Sequence, residues 1–317
     1  MKHLHVNTRC LHASIVIHGL RRRRCTACRK TWTIRKKKQG RKRKRLSKNV
    51  LCRYLAGKSV RTPPHVLRAT RDLFVRTTPW PDLTEIIGPC VLIVDALHIR
   101  TSVYTAIIHV LLLKPIHEER AFILPFWTGT KTESKDSWRR AFEAQIPPML
   151  RSRIKALVCD GKSGLPELAR EYGWVVQRCQ FHLIARLQLK RSKYALSRHR
   201  KEGVRLYELA RTICDTTSQR KLQKALQTLL RIVRLEKNRH LKTILSGLVK
   251  HHQDYRTYLA HPDLCLPTTT NSVESLNSLI RDLLYRMRGC RISDSVLLWI
   301  EALLKYRSHI HIQNHRD

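Results

Sequence analysis

Three carboxylates stand out because of the residues around them. Asp95 falls within "CVLIVDALHI" and Asp160 ends the run "IKALVCDG", both of which read as apolar strands. Glu274 sits in "TTTNSVESLNSLIRDL", a stretch whose spacing predicts a helix with Asn271, Glu274, Asn277 and Arg281 on or near one face. A carboxylate within or directly after an apolar strand is expensive to bury unless it is paired. For either aspartate alone, a backbone amide or an arginine would be partner enough. Together they suit a different chemistry, in which carboxylates at strand ends converge on Mg2+ and two such ions assist an in-line phosphoryl displacement. Glu274 would supply the third carboxylate. It also has a purely structural reading, because Asn271 followed by Glu274 has the form of a capping box.

The elements that must hold these groups follow from the pattern between them. "CVLIVDALHI", "YTAIIHVLLLKP" and "ERAFILPFWTG" are three successive strand candidates, and "SKDSWRRAFEAQIPPML" is an amphipathic helix with Trp138 and Phe142 on one side. "IKALVCDGKSG" is a further strand, "LPELAREYG" a helix and "WVVQRCQFH" a fifth strand. Adjacent strands followed by alternating helices and strands imply an α/β layer with a mixed sheet.

Charge identifies the partner. The chain has 317 residues, with 63 Lys and Arg against 23 Asp and Glu. Such an excess attracts a polyanion, nucleic acid before an anionic membrane surface. The first acid is Asp72, after 23 Lys and Arg. Within that basic segment, "RRRRCTACRKTW" reads as one knuckle of a zinc ribbon, with Cys25 and Cys28 as two ligands of a tetrahedral Zn2+. Cys10 is the best third ligand, and His5 and His12 compete for the fourth place. A redox pair or an empty relic of a metal site is the alternative. "RKKKQGRKRKRLSKN" then suits a tail that neutralises phosphates. "SKNVLCRYLAGKSVRTPPHVLRATRDLFVR" reads as two short basic helices about a Gly-containing turn, with Ser47 as a cap and Leu51, Tyr54 and Leu55 as an apolar stripe, which fits a helix-turn-helix. No apolar run reaches the roughly 18 residues of a membrane span, and the start lacks a signal-peptide pattern. The expectation is a cytoplasmic, nucleoid-associated protein with no membrane partner.

With these residues in place, the chain resembles bacterial insertion-sequence transposases with a ribonuclease-H-like catalytic domain, in the IS256 and Mutator-like group. The matching stretches are "VDALH", "VCDGKSG", "RCQFH" and "TTTNSVESLNSLIR", which occur in family order. The resemblance implies an Asp-Asp-Glu triad of Asp95, Asp160 and Glu274 that binds two Mg2+ or Mn2+ ions. It also implies a Cys-x-x-His element, Cys179 and His182, in the wall of the active site. Cys179 is read as packing and His182 as lying near DNA or the scissile phosphate, with Asn277, Lys162 and Arg281 as supporting or strand-holding groups. The implied architecture is a zinc-ribbon-like segment over 1–34, a basic linker over 35–46 and a helix-turn-helix over 47–80. A ribonuclease-H-like mixed-sheet core follows over 88–185, then an all-helical insertion over 186–267 and C-terminal core helices over 268–317 that carry the glutamate. The implied activity is binding of terminal inverted repeats, metal-dependent cleavage of double-stranded DNA and joining of the freed 3′-hydroxyl to target DNA by a homodimer or larger assembly. The competing readings are a nuclease or junction resolvase on the same fold, a non-catalytic DNA-binding regulator derived from a transposase, and an RNA-binding ribbon protein.

Overall fold

A computed structural model of the chain describes residues 15–17, 22–27, 29, 31–33, 46–84, 86–100, 105–129, 132–162, 164–191, 197–287 and 293–311. Two units are distinguished, Met1–Leu46 and Ser47–Asp317. In the first, strands β1 (Ile15–Ile17), β2 (Arg22–Cys25) and β3 (Thr31–Thr33) pair antiparallel in that order. Cys25 is buried at the end of β2. Cys10 and Cys28, together with His5, His12 and most of the basic linker over 35–46, lie outside the described residues.

The second unit begins with helices α1 (Lys48–Leu55) and α2 (Pro64–Thr77). Strands β4 (Cys90–Arg100), β5 (Thr105–Pro115), β6 (Arg120–Ile123) and β7 (Trp127–Gly129) follow. Then come α3 (Lys135–Gln145), α4 (Pro148–Arg151), β8 (Ile154–Cys159), α5 (Leu165–Glu171) and β9 (Val175–Arg178). The helical segment comprises α6 (Gln180–Arg191), α7 (Ser197–Asp215), α8 (Gln219–Leu235), α9 (Arg239–Lys250) and α10 (Thr257–Ala260). The chain closes with α11 (Asn271–Arg286), α12 (Ser293–Arg307) and β10 (His309–His311). The sheet order is β10-β6-β5-β4-β8-β9, with β7 also paired to β5. β4, β5 and β6 pair antiparallel with one another in sequence, whereas β8 pairs parallel with both β4 and β9, giving a mixed sheet consistent with a ribonuclease-H-like core.

Period-two alternation along β4 decides which face each residue serves. Val91, Ile93, Leu97 and Ile99 pack with residues of α1, α2, α11 and α12, while Cys90, Leu92, Val94 and Ala96 pack with Trp138 and Phe142 of α3 and Leu168 of α5. Asp95 shares the parity of the first set and therefore lies on the α11 face. The helix pair α1 and α2 belongs to this same body. Leu51 and Leu55 are buried against it, and the buried Arg71 donates to Ser295 Oγ at 2.8 Å while its guanidinium lies 5.0 Å from the centre of the Trp299 ring. Ser47 stands at the start of α1 without making a side-chain cap bond.

The helical segment has a core of its own, with Leu187 of α6, Ile213 of α7, Leu229 of α8 and Leu245 of α9 among its buried residues. Its turns are capped in the expected way: Ser218 Oγ accepts from the Lys221 amide, and Asn238 Oδ1 accepts from the Leu241 amide at 3.1 Å. Among the described residues, no helix is long and apolar enough to cross a membrane.

On the opposite face of the sheet from Asp95, His109 is fully buried between Trp127 and Trp138, with ring centres 5.0 and 4.4 Å away. Its Nε2 lies 3.2 Å from Ser137 Oγ. Burial pushes its pKa from 6.5 down to about 4. Between those values the unfolded chain takes up a proton that the folded chain refuses, so stability falls as pH drops from 6.5 to about 4 and this contribution then levels off. The expected loss is on the order of 3 kcal/mol. A series of urea melts should show it, and His109→Phe should flatten that part of the profile.

Candidate active site

The strand register brings the two aspartates together. In the parallel pair β4 and β8, Leu92 faces Leu157 and Ile93 faces Val158, so the same register carried forward sets Asp95 level with Asp160. Both are largely buried, at 7 % and 9 % exposure. The chain turns at Gly161, whose φ is +78°. A Cβ there would come 2.6 Å from Arg178 Nη1, and Arg178 donates to the Gly161 carbonyl, so the turn requires glycine on both counts. That turn points the Lys162 amide back to Asp160 Oδ1 at 3.0 Å.

The other wall consists of the start of α6 and the start of α11, and Cys179 joins them. Fully buried, its sulfur accepts from both the amide and the hydroxyl of Thr270, each at 3.2 Å, while its own amide donates to the Cys159 carbonyl at 2.7 Å. Packing is thus the role this thiol visibly fills. Thr270 is the N-cap residue of α11, but its hydroxyl is committed to Cys179 and gives no cap bond. Glu274 does not turn back to the helix start, so the capping-box reading fails. Instead its Oε1 lies 3.0 Å from His182 Nε2. One turn along α11, the fully buried Asn277 donates from Nδ2 to Asp95 Oδ2 at 2.7 Å, leaving its Oδ1 buried without a partner.

Asp95, Asp160 and His182 each offer a ligand atom, and these atoms lie within 4.8 Å of one another. Glu274 adjoins this cluster, held by His182 and close enough to Asp95 to raise its pKa. The electrostatics match the geometry. Burial, reinforced by the neighbouring Glu274, pushes the Asp95 carboxyl up to about 7. For His182, burial works against the charged imidazolium, but the Cys179 sulfur and the Glu274 carboxylate outweigh it and raise its pKa to about 10. The hydrogen bond from His182 holds Glu274 below the usual carboxylate range. Acidic groups that repel one another this closely suit a site built around added positive charge.

One member of the site was not legible as such. Glu133, whose side chain is 9 % exposed, accepts from Lys162 Nζ at 2.7 Å and from Trp138 Nε1 at 3.1 Å, and lies 3.3 Å from His98 Nε2. Burial favours its neutral form, yet Lys162 prevails and holds its pKa below the usual value. Lys162 in turn stands 3.7 Å from Asp160 Oδ2 with its side chain still 40 % exposed. The only sequence signal was an acid just ahead of a serine-capped helix, a position that helix-dipole arguments already explain. Arg281 is exposed on α11 and reaches the cluster only as a favourable charge near Glu274.

The site gathers two aspartates, a glutamate–imidazole pair and a lysine, a cluster able to hold a divalent ion. No curated protein matches the chain. The family model described as Transposase, Mutator family, matches residues 88–307, a span that takes in all of these groups. With most of its length covered, the chain belongs to the Mutator family of transposases.

Proposed function

We propose that this chain is a transposase that binds terminal inverted repeats, cuts DNA at them and joins the freed 3′-hydroxyl to target DNA, with Asp95, Asp160 and Glu274 as its catalytic carboxylates. The observation that carries this reading is the meeting of Asp95, midway along β4, with Asp160, just past the end of the adjacent β8, and with Glu274 beside them on His182. The donor set fits Mg2+ or Mn2+: carboxylate oxygens predominate, the unpartnered Asn277 Oδ1 is a further oxygen at the site, and Asp95, raised by burial and by the Glu274 carboxylate, is a group that an added cation would return to its charged form. Bound there, two such ions would polarise the phosphodiester and assist the attacking and leaving oxygens.

The chain's own residues supply the positioning. Asn277 fixes the Asp95 carboxylate through Nδ2, and His182 fixes Glu274. Lys162 offers an ammonium for a phosphate oxygen at the same edge. The basic N-terminal segment, with Zn2+ on Cys10, Cys25 and Cys28, and the α1–α2 pair would bind the repeats, arginines and lysines giving affinity and α2 giving base choice. Two ends held at once call for a homodimer or a larger assembly.

The test is incubation of the purified protein with Mg2+, labelled DNA ending in the inverted repeat and target DNA. Joined product supports the proposal. Cleavage without joining indicates a nuclease, and binding without either indicates a regulator.

Glu133→Gln keeps the side chain's size but removes the charge that parks Lys162. Cleavage is expected to slow about tenfold. Lys162→Ala should show a similar loss, and the double variant little more than either alone, because both changes remove one arrangement. Additive losses in the double variant would show that Glu133 does not act through Lys162.

A further inference from the structure

A pocket of about 610 Å³ is lined by residues of α6 and α7, by Tyr258 and by residues 268–269, and so includes the chain neighbours of His182 and Thr270. Its wall continues the wall of the active site. The Gln180 amide donates to the Thr268 carbonyl at 2.9 Å, and the next positions on these two strands of chain are Phe181 and His182 on one side, Thr269 and Thr270 on the other. Phe181 lines the pocket with 44 % of its surface exposed, and its ring stands edge-on to the His182 imidazole, centres 6.0 Å apart. Tyr207 and Tyr258 add two more aromatic rings to the lining. Arg211 and Asp215 contribute a fixed donor and acceptor, paired at 3.0 Å, and Asp215 lies 3.3 Å from the Tyr258 hydroxyl.

Aromatic faces combined with a held polar pair are the chemistry that receives a planar, hydrogen-bonding ring. The volume accommodates one, and Phe181, Tyr207 and Tyr258 line the same pocket. We propose that this pocket takes one DNA base turned out of the duplex next to the phosphodiester that lies on Asp95 and Asp160. The inference rests on the reading of those carboxylates as a DNA-cutting site. Turning a base outward costs pairing and stacking, which the aromatic lining offsets.

The experiment places a single mismatch in turn at each position flanking the cut and follows cleavage by wild-type protein and by Phe181→Ala, with DNA binding read by fluorescence anisotropy. Phe181 is half exposed and apart from the buried cores, so its replacement leaves the fold intact, and Phe181→Trp is the conservative control. On fully paired DNA, Phe181→Ala is expected to cut about tenfold more slowly, with Phe181→Trp near wild type. At one position only, the mismatch should lower the cost of turning the base out and shrink the Phe181→Ala defect severalfold. A defect of equal size at every mismatch position, or no defect at all, overturns the pocket while leaving the cutting activity standing. Failure of the wild-type protein to cut any of these DNAs overturns the underlying reading, and with it the reason for a base to enter.

Discussion

Asp160→Ala should lower both cleavage and strand joining by roughly a thousandfold or more while leaving DNA binding close to wild type. The magnitude follows from losing one of the oxygen donors that hold a divalent ion against the phosphate, an interaction worth several kcal/mol in the transition state. The fold should be indifferent to the change. Asp160 sits past the end of β8, receives one backbone bond from Lys162, and its charge raises the pKa of Asp95 by repulsion, so alanine removes a repulsive neighbour. Single-turnover assays on labelled repeat DNA give the rates, anisotropy gives the affinity, and a urea melt checks the fold. Full activity in a folded Asp160→Ala protein would remove the phosphoryl-transfer reading altogether.

The second large effect separates Glu274 from His182, the two candidates for third place beside the aspartates. By distance, His182 is the group that clusters with the aspartates, since its ring nitrogen lies within 4.8 Å of ligand atoms on Asp95 and Asp160. Ligand preference argues the other way. Mg2+ selects oxygen over imidazole nitrogen, and an imidazole raised to about 10 is an imidazolium at neutral pH, which donates to Glu274 and must give up its proton before it can ligate. Glu274→Gln is therefore expected to cost activity on the scale of Asp160→Ala, and His182→Gln only about tenfold through a less well oriented Glu274. The reverse ranking would make the imidazole the ligand and the glutamate its orienting partner. Both side chains are about a quarter exposed, so the pair contributes little to stability and neither variant should unfold.

Much of the catalytic layer was legible in the sequence because it is written in local periodicity. The apolar run that carries Asp95 became β4, with Asp95 in its interior, the run that ends at Asp160 became β8, and "YTAIIHVLLLKP" became β5. Prolines broke two segments that read as continuous. "ERAFILPFWTG" splits around Pro125 into β6 and β7, and "SKDSWRRAFEAQIPPML" splits at Pro147 into α3 and α4. The helix carrying Glu274 was legible too, although Asn271 proved to be its first residue and its cap fell to Thr270.

By itself, then, the sequence determined the strand and helix order, the basic character and the acids available for chemistry, since each depends on neighbours along the chain. Only the tertiary structure decided what those acids touch. Asn277 reaches Asp95, Glu133 holds Lys162, His182 takes Glu274, and Cys179 binds the start of α11. Each of these contacts joins different elements or loops, and each depends on how helices settle against a sheet, where shifts of an ångström or two make or break a hydrogen bond. The α1–α2 pair shows the same division: its amphipathic pattern was visible, but its docking on α12 through Arg71 and Trp299 came from a surface encoded more than two hundred residues later.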